Sequence, residues 1–256
     1  MSIKLGWGSG PLLPAKYYLL LTSCDQESTE MTNIIGDIAG QYDALIKLVD
    51  KMPKGVTISV GDMIDRGPKS KDVLDFFMSK KKKAIFGNHE HLMVDYLLDG
   101  KYYDRNTWFY NGGMATIKSF LSEEEFMNKR NLDDCIPQKY IDWINSLPKY
   151  IEKRGVLISH SFLPNYDMKD KELLEHSCDL GSCIWSKEET TIIWNRTEPV
   201  RRKKWKLQVA GHNSQFGFRE WSDEKGIYAV CLDGSRHKML TGLHLESMRI
   251  YQQNYE

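Results

Sequence analysis

The sequence lacks a net charge. Lys and Arg together number 35, and Asp and Glu together also number 35, so no overall field draws the protein toward nucleic acid or anionic lipid. It also lacks an apolar run of the roughly 18 residues that a membrane-spanning helix needs. We find no internal repeat, low-complexity tract or interdomain linker. These absences exclude a membrane span and a repeat protein, and 256 residues are enough to bury a large core.

The sequence has few cysteines, and their number and spacing do not indicate disulfide pairs. The five cysteines, at 24, 135, 178, 183 and 231, are odd in number and have no metal-finger spacing, which disfavours a disulfide framework. We therefore expect a reduced, cytoplasmic protein. Cys178 and Cys183 lie close enough in sequence to share a metal ion, but no second pair accompanies them.

The chain divides into an extension and one domain. Residues 1 to 30 carry no recognisable chemistry, and Met31 stands just before the first clear strand pattern. We assign residues 1 to 30 as an N-terminal extension of unknown role and residues 31 to 256 as the functional domain.

Short β-branched runs alternate with helical spacing in the first half. The runs "TNIIGD", "VTISVGD" and "KAIFGN" predict strands, and residues 43 to 51 and 71 to 79 predict the helices between them. This order is typical of two consecutive βαβ units. A helical middle is predicted from about residue 90 to 146, interrupted by "NGG" at 111 to 113.

The second half returns to strands. The segments "GVLISH", "TTIIWN", "LQVAGH", "IYAVCLDG" and "LTGLHLESMRIY" have the composition of strands. An alternating first half and a strand-rich second half predict an α/β protein with two stacked mixed β-sheets flanked by helices.

Polar residues follow the apolar runs throughout the domain. Open α/β sheets place their sites at the carboxyl ends of strands, so folding would bring these residues together. Oxygen and imidazole donors without thiolate suit Mn, Fe, Zn or related ions. Asp or Asn after a strand often only starts a turn, yet turn chemistry explains nine such positions poorly. They are Asp37, Asp62, Asp65, Arg66, Asn88, His89, His160, Arg196 and His212.

The order of these motifs resembles a known family. "GDIAG" (36–40), "GDMIDRG" (61–67), "GNHE" (87–90), "SH" (159–160) and "GH" (211–212) resemble the calcineurin-like metallophosphoesterases, in the phosphoprotein phosphatase branch. "SLPKYI" before "LISH", then "IIWNR" and a late "LDG", are similar to the lambda-phage-type Ser/Thr protein phosphatases. The resemblance covers about residues 33 to 250 and implies the metallophosphoesterase β-sandwich.

The resemblance implies a dinuclear metal centre. Asp62 would bridge two divalent ions, which we expect to be Mn, with Fe, Zn or Ni as alternatives. Asp37 would ligate the first ion, while Asn88, His160 and His212 would complete the second. Such a pair of ions activates a shared hydroxide that attacks phosphorus directly.

The resemblance also assigns catalytic and substrate-binding roles. Arg66 and Arg196 would clamp the phosphate oxygens, with Asn88 beside them. His89 would protonate the leaving oxygen, and Asp65 would orient its imidazole. Arg201 and Arg202 lie close enough in sequence to compete with Arg196, and His160 and His212 have the alternative of being satisfied core histidines.

Position 39 departs from the family pattern. The family has a first-ion histidine there, and this chain has Ala39, so we expect a weakened first site. The alanine is compatible with an engineered substitution, a natural subgroup or a decayed scaffold, and the intact remaining motifs favour a functioning enzyme. His91 is a weaker candidate for a substitute ligand.

The predicted function is metal-dependent hydrolysis of phosphoesters by a Ser/Thr protein phosphatase. Dual specificity, with phosphotyrosine as a further substrate, is an open alternative. Substrates would be a phosphorylated protein or a small phosphoester. Alternatives are hydrolysis of dinucleoside polyphosphates or 2′,3′-cyclic phosphodiesters, and a non-catalytic phospho-ligand scaffold.

Basic and aromatic segments give weaker signals. The lysines of "SKKKK" (79–83) and "RRKKWK" (201–206) are compatible with a nucleotide or nucleic-acid partner, with Trp205 as a stacking platform, although a solvated surface explains them better. Trp108 and Trp143 are predicted core aromatics. Trp185 and Trp194 are candidates for the cleft rim.

Overall fold

Two five-stranded β-sheets form the domain. The computed structural model describes residues 30–98, 106–129, 131–132, 134–179, 191–214 and 218–256. The strands are β1 (Thr32–Ile35), β2 (Val56–Ser59), β3 (Lys82–Ala84), β4 (Tyr150–Lys153), β5 (Val156–Ser159), β6 (Leu207–Ala210), β7 (Arg219–Asp223), β8 (Gly226–Cys231), β9 (Met239–His244) and β10 (Arg249–Asn254).

The first sheet has the strand order β10-β9-β1-β2-β3. Its strands β1, β2 and β3 pair in parallel, and helices α1 (Tyr42–Lys51) and α2 (Ser70–Met78) connect them. The two predicted βαβ units are therefore confirmed. Strand β9 is antiparallel to β1, and β10 is antiparallel to β9, so β10 runs in the same direction as β1.

The second sheet has the order β4-β5-β6-β8-β7. Strands β5, β6 and β8 are parallel, and antiparallel β4 and β7 flank them. The three central strands are apolar on both faces because the sheet is covered on both sides. Their carboxyl ends carry the "SH", "GH" and "LDG" segments.

The two sheets pack face to face. One apolar cluster joins Ile34, Ile58 and Val60 of the first sheet to Ile158 and Val209 of the second. A second, larger cluster lies between the sheets and the surrounding helices. The predicted architecture of stacked mixed sheets with helices outside is confirmed.

The helical middle covers one end of the first sheet. It consists of α3 (Asn88–Leu98), α4 (Thr107–Tyr110), α5 (Gly113–Ser119), α6 (Glu123–Asn128) and α7 (Gln138–Asn145), and α8 (Asp170–Ser177) follows in the second half. The predicted break at "NGG" lies between α4 and α5, where Gly112 has φ 106°, a conformation that glycine adopts without strain.

Two strand predictions were wrong. The described part of "TTIIWN" forms turns, in which Ile192 and Ile193 are nevertheless fully buried. "LTGLHLESMRIY" is not one strand, because a turn at Leu245–Met248 separates β9 from β10. Strands β4 and β7 were not predicted as separate elements, since neither has a continuous apolar run. Across the described ranges, none of the helices combines the length and apolar character needed to cross a bilayer.

Candidate metal centre

Two aspartates converge from adjacent parallel strands. Asp37 follows β1 and Asp62 follows β2, and each side chain is only 5% exposed. Ligand atoms of Asp37, Asp62 and His160 all lie within 4.8 Å of one another. The carboxyl ends of two parallel strands and of β5 in the other sheet thus bring these three side chains together.

Asn88 brings the remaining predicted ligands together. Its Oδ1 lies 2.8 Å from His160 Nε2 and 2.8 Å from His212 Nδ1. His160 Nε2 also lies 3.3 Å from Asp62 Oδ1. The side chains of Asp62, Asn88, His160 and His212 therefore surround a common point at the edge of the two sheets.

The chemistry of these contacts fits a cation. His160 Nδ1 lies 2.9 Å from the carbonyl of Val60, and His212 Nε2 lies 3.2 Å from the carbonyl of Trp194. A carbonyl only accepts, so each of these nitrogens carries the proton of a neutral imidazole. The nitrogens that face Asn88 Oδ1 are then lone pairs opposite another acceptor. A cation between them, an additional proton, or the reversed orientation of the Asn88 amide makes that arrangement favourable.

The pKa shifts of the histidines agree with neutral ligands. Burial lowers the pKa of His160, and burial together with the neighbouring His160 and Arg196 holds the pKa of His212 well below its usual value. Metal binding requires neutral imidazole, so both side chains have the protonation state of ligands.

The carboxylates show a surplus of negative charge. Burial, then Asp233 and Asp62, raise the pKa of Asp37 well above its ordinary value. Burial also acts to raise the pKa of Asp62, but His160 and His89 outweigh it and bring the value to about 2. A divalent cation would neutralise this surplus, because nearby positive charge favours the ionised carboxylates.

A glycine makes the approach of His212 possible. The backbone N–H of His212 donates to both carboxylate oxygens of Asp37 at 3.1 Å. A Cβ added at Gly211 would collide with Asp37 Oδ1. The "GH" motif therefore needs glycine because the backbone touches the carboxylate directly.

His89 is held by a network beside these ligands. Its Nδ1 lies 2.6 Å from Asp65 Oδ2. Asp65 in turn accepts hydrogen bonds from Trp108 Nε1 at 3.0 Å and from Thr116 Oγ1 at 2.6 Å. Sequence reasoning placed Trp108 in the core, which is correct for its 1% exposure, but it did not identify the contact with Asp65.

Charge near His89 favours its protonated form. Burial alone would lower the pKa of His89, but Asp62 and the hydrogen bond with Asp65 outweigh it, so the pKa is raised. Arg66 Nη2 lies 2.9 Å from His89 Nε2, a contact in which Arg66 can donate only while Nε2 is unprotonated. The exposed Arg66 thus contacts the same nitrogen that the family resemblance assigns to proton donation.

Glu90 joins two of the motif loops, a role that the sequence did not indicate. Its Oε1 accepts from the backbone N–H of Met63 at 2.7 Å, while Oε2 accepts from Asp62 at 2.8 Å and Gly87 at 2.9 Å. Burial and the nearby Asp62 raise the pKa of Glu90 to about 7. The last residue of "GNHE" fixes the backbone that carries Asp62.

Backbone strain concentrates at the motifs. Among the described non-glycine residues with positive φ, five belong to motif turns, and these are Ala39, Asp62, Asp65, Arg66 and His212. Such conformations cost about 1–3 kcal/mol each and persist where the surroundings enforce them. Their concentration at one edge is typical of a functional site.

Ala39 occupies the position of the missing first-ion histidine. It is buried, with φ 47°, its N–H donates to Asp62 O at 2.8 Å, and its carbonyl accepts from Gly67 at 2.9 Å. His91 does not replace the imidazole in the described arrangement. Its Nδ1 accepts from Trp194 Nε1 at 3.3 Å, and its ring packs against Phe86.

Arg196 is exposed beside His212. Its Nη1 has long contacts of 3.5 Å with His212 O and Asn213 Oδ1. A small cavity of about 20 Å³ adjoins it, lined partly by Glu198, Arg219 and Trp221. The guanidinium is thus placed to accept an anion next to the metal ligands.

The competing arginines are committed elsewhere. Arg201 pairs with Asp223 at 2.6 and 2.7 Å. Arg202 is buried and donates to Pro164 O. Both arginines therefore have other partners in this structure, which favours Arg196 at the phosphate.

The structure changes the interpretation of two tryptophans, Trp205 and Trp194. Trp205 is 3% exposed, so the expectation of a stacking platform is wrong, because a buried ring offers no open face. Trp194 is half-buried, and its role at the centre comes from its carbonyl contact with His212. Trp143 packs against the core as predicted. Trp185 and Cys183 lie outside the described residues.

Comparison with known proteins agrees with this geometry. A model of the calcineurin-like phosphoesterase family matches residues 32–239. The chain belongs to the calcineurin-like phosphoesterase family. This family of hydrolases generally depends on a dinuclear metal centre, and the cluster of Asp37, Asp62 and His160 is a candidate for part of it.

Relatives within the family have several names. A serine/threonine-protein phosphatase 2 of Salmonella typhimurium is 31% identical over 175 residues, covering 66% of this chain and 73% of that protein. Its namesake in Escherichia coli K12 is 38% identical over 84 residues, or 31% of this chain and 37% of that protein. A symmetrical bis(5′-nucleosyl)-tetraphosphatase of Pasteurella multocida is 24% identical, with 58% of this chain and 50% of that protein covered.

Solved structures show the same fold. A cold-active protein-tyrosine phosphatase of a Shewanella species superposes with a TM-score of 0.55 at 17% identity, over 88% of this chain and 81% of that one.

The chain spans about a third of the length of several curated relatives that it matches, including the E. coli protein.

Proposed function

We propose that the protein is a metal-dependent Ser/Thr protein phosphatase, with phosphotyrosine as a further substrate. The observation that carries this proposal is the convergence of imidazole lone pairs, an amide oxygen and a carboxylate at Asp62, Asn88, His160 and His212. The retained "DRG" and "IIWNR" segments and the similarity to bacterial serine/threonine-protein phosphatases support the substrate class.

The centre would hold two divalent ions, proposed as Mn, with Fe, Zn and Ni as alternatives. Asp37 and Asp62 would hold the first, and Asp62, Asn88, His160 and His212 the second. When bound, two such ions lower the pKa of water and neutralise charge that develops on the phosphoryl group. The lack of thiolate among the donors supports an ion of intermediate hardness.

Arg66 and Arg196 would bind the phosphoryl oxygens. Both guanidinium groups are exposed, and the contacts of Arg196 within the described residues are long and to neutral oxygens. A phosphate offers each of them a stronger, charge-assisted and bidentate partner. The two arginines would orient the phosphoryl group between His89 and the metal ligands.

His89 would give its proton to the leaving oxygen. Asp65 holds Nδ1, which leaves Nε2 for proton donation. In the described structure Arg66 donates to that nitrogen, so substrate binding would have to draw Arg66 toward the phosphate. Once Arg66 has moved away, the raised pKa of His89 would favour a proton on Nε2.

A second candidate substrate class is the dinucleoside polyphosphates. Relatives that include bis(5′-nucleosyl)-tetraphosphatases support this class. A 2′,3′-cyclic phosphodiester substrate rests only on the smaller side chain of Ala39. A non-catalytic scaffold would use the same arginines without turnover.

Manganese-dependent hydrolysis tests the proposal. The protein is incubated with p-nitrophenyl phosphate and its bis ester, followed by p-nitrophenol, with a phosphoserine peptide, followed by inorganic phosphate, and with diadenosine tetraphosphate, followed by the nucleotides formed. We expect the fastest hydrolysis with the peptide, a loss of about 100-fold or more in Asp62→Asn, and no change in the exposed control Asp43→Asn. Cleavage of the tetraphosphate alone would favour the second candidate, and no hydrolysis of any substrate would favour a scaffold.

The setting would be cytoplasmic. The three described cysteines, Cys135, Cys178 and Cys231, are free thiols, as expected for a reducing compartment.

A further inference from the structure

The last strand brings the end of the chain to the metal edge. In the first sheet, Ile35 of β1 pairs with Gly242 of β9, which pairs with Tyr251 of β10. Because β10 runs in the direction of β1, residues beyond Tyr251 advance toward the same edge as residues beyond Ile35. Tyr255 follows Tyr251 by four positions, just as residue 39 follows Ile35.

Tyr255 is anchored by the turn that follows Asp233. Its backbone N–H donates to Lys238 O at 2.9 Å, and its ring packs against the core cluster that contains Ile38. Its hydroxyl has a long hydrogen bond of 3.5 Å to Ser235 O. The ring is therefore fixed, while the O–H is held weakly and is available to a better acceptor.

The same turn lies directly against the first-ion side of the centre. The backbone of Leu232 contacts Gly36 so closely that a Cβ at Gly36 would collide with it. Asp233 follows and is 3% exposed. The turn from Asp233 to Lys238 thus joins Tyr255 to the residues that precede Asp37.

The electrostatic surroundings of Tyr255 are those of the metal edge. Burial, then Asp233 and Asp37, raise the pKa of the phenol to about 12, and Arg66 acts in the opposite direction. The phenol is therefore a neutral hydrogen-bond donor near neutral pH, and its hydroxyl lies 3.5 Å from the carbonyl of Ser235, whose backbone N–H donates to Asp233 Oδ1 at 2.9 Å.

We propose that Tyr255 is a positioning residue for the first-ion side of the centre, where Ala39 supplies no imidazole. Its phenol O–H, held at the turn that follows Asp233, donates to the water or substrate oxygen that occupies the space of the absent side chain. This inference rests on the proposed two-ion centre and adds a residue that the motifs do not contain.

Manganese titration of the metal-free protein, followed by electron paramagnetic resonance of free Mn²⁺, tests the inference without turnover. We expect Tyr255→Phe to weaken the weaker of two binding events by about 10-fold, the lower end of the range for partners of metal ligands. Tyr251→Phe, four positions earlier in β10, is the matched control and should leave both events unchanged. Thermal melts without metal establish that both variants fold equally.

A double-mutant cycle gives the decisive comparison. If Tyr255 compensates for Ala39, then Tyr255→Phe should have an effect below about 2-fold in an Ala39→His background, because an imidazole then serves the first ion. Equal effects in both backgrounds, an effect no larger than that of Tyr251→Phe, or a single Mn²⁺ binding event in the unmodified protein would each overturn the inference.

The assay separates this inference from the proposed function. A protein that binds two ions and shows the Tyr255 effect but releases no phosphate would refute the phosphatase proposal alone. A protein that releases phosphate but shows no Tyr255 effect would refute the inference alone.

Discussion

The backbone N–H of Asp62 donates a hydrogen bond of 2.8 Å to Glu90 Oε2, and the same oxygen accepts from the backbone N–H of Gly87. The bridging ligand of the proposed centre is thus positioned by a buried carboxylate that contacts neither the substrate nor, in the proposed arrangement, the ions. Removal of an acceptor at this place should therefore affect both the fold and the metal affinity.

Glu90→Gln should lower the free energy of unfolding by about 2 kcal/mol, because a charged acceptor is replaced by an amide that leaves a buried N–H without its partner. Urea unfolding of the metal-free protein measures the loss. Glu124→Gln, at an exposed position, is the control and should stay within about 0.5 kcal/mol of the unmodified protein. Equal stability of the two variants would show that Glu90 does not hold the loops.

Gly211→Ala should destroy the centre. The added methyl group would collide with Asp37 Oδ1, so Asp37 or the His212 backbone has to move and Mn²⁺ affinity should fall by 10-fold or more. Isothermal titration calorimetry measures the affinity. Gly226→Ala is the comparison, since Gly226 has no heavy atom near its Cβ position but has φ 104°, so the variant should lose some stability and still bind Mn²⁺ normally. Normal binding by Gly211→Ala would contradict the described contact.

Trp108→Phe should reduce turnover through Asp65. The variant keeps an aromatic ring in the core but removes the N–H that donates to both oxygens of Asp65, so His89 should be oriented less well. We expect kcat for a phosphopeptide to fall about 10-fold, at the low end of what a positioned proton donor contributes, with KM unchanged. Trp143→Phe should leave kcat unchanged, and a fall confined to KM would place Trp108 in substrate binding instead.

His91 should make stability depend on pH. Burial lowers the pKa of His91 to about 4 from 6.5, so the unfolded chain binds more protons than the folded protein between these values. Stability is then complete above about pH 6.5 and declines as pH falls toward 4, by about 2 to 3 kcal/mol from this group.

His91→Asn removes the titrating group and keeps an acceptor near Trp194. The free energy of unfolding, measured with urea between pH 7.5 and 4.5, should therefore fall less steeply with decreasing pH in the variant. The difference between the two proteins isolates His91 from Glu90 and Asp37, whose raised pKa values act in the opposite direction. Parallel pH profiles would mean that His91 takes up a proton as readily in the folded protein as in the unfolded chain.

The sequence predicts much of the first half because each strand there ends in a motif. Strand β1 precedes "GD", and its parallel partner β2 precedes the next one, so local pattern and long-range pairing agree. The segment "TTIIWN" misled because β-branched composition is compatible with any buried extended chain. Ile192 is buried, and its backbone bonds to Ser161 and Ser177 in place of a neighbouring strand.

The supporting residues of the site were beyond sequence reasoning. Trp108 reaches Asp65 across 43 positions, and Tyr255 reaches the metal edge only because β10 is laid beside β9. Contacts of this kind depend on the assembled fold, whereas the motif residues carry their own local signal. Trp205 shows the reverse error, since a basic neighbourhood indicated an exposed ring that packing has buried.

The proposed ligands come from both sheets: Asp37 and Asp62 follow strands of the first, while His160 and His212 follow strands of the second. Ions bound by these four residues would link the two sheets. At a free ion concentration 100 times the dissociation constant, binding to the folded state alone adds about 2.7 kcal/mol to stability. A cell starved of the ion would then lose the protein to unfolding and proteolysis as well as losing its activity.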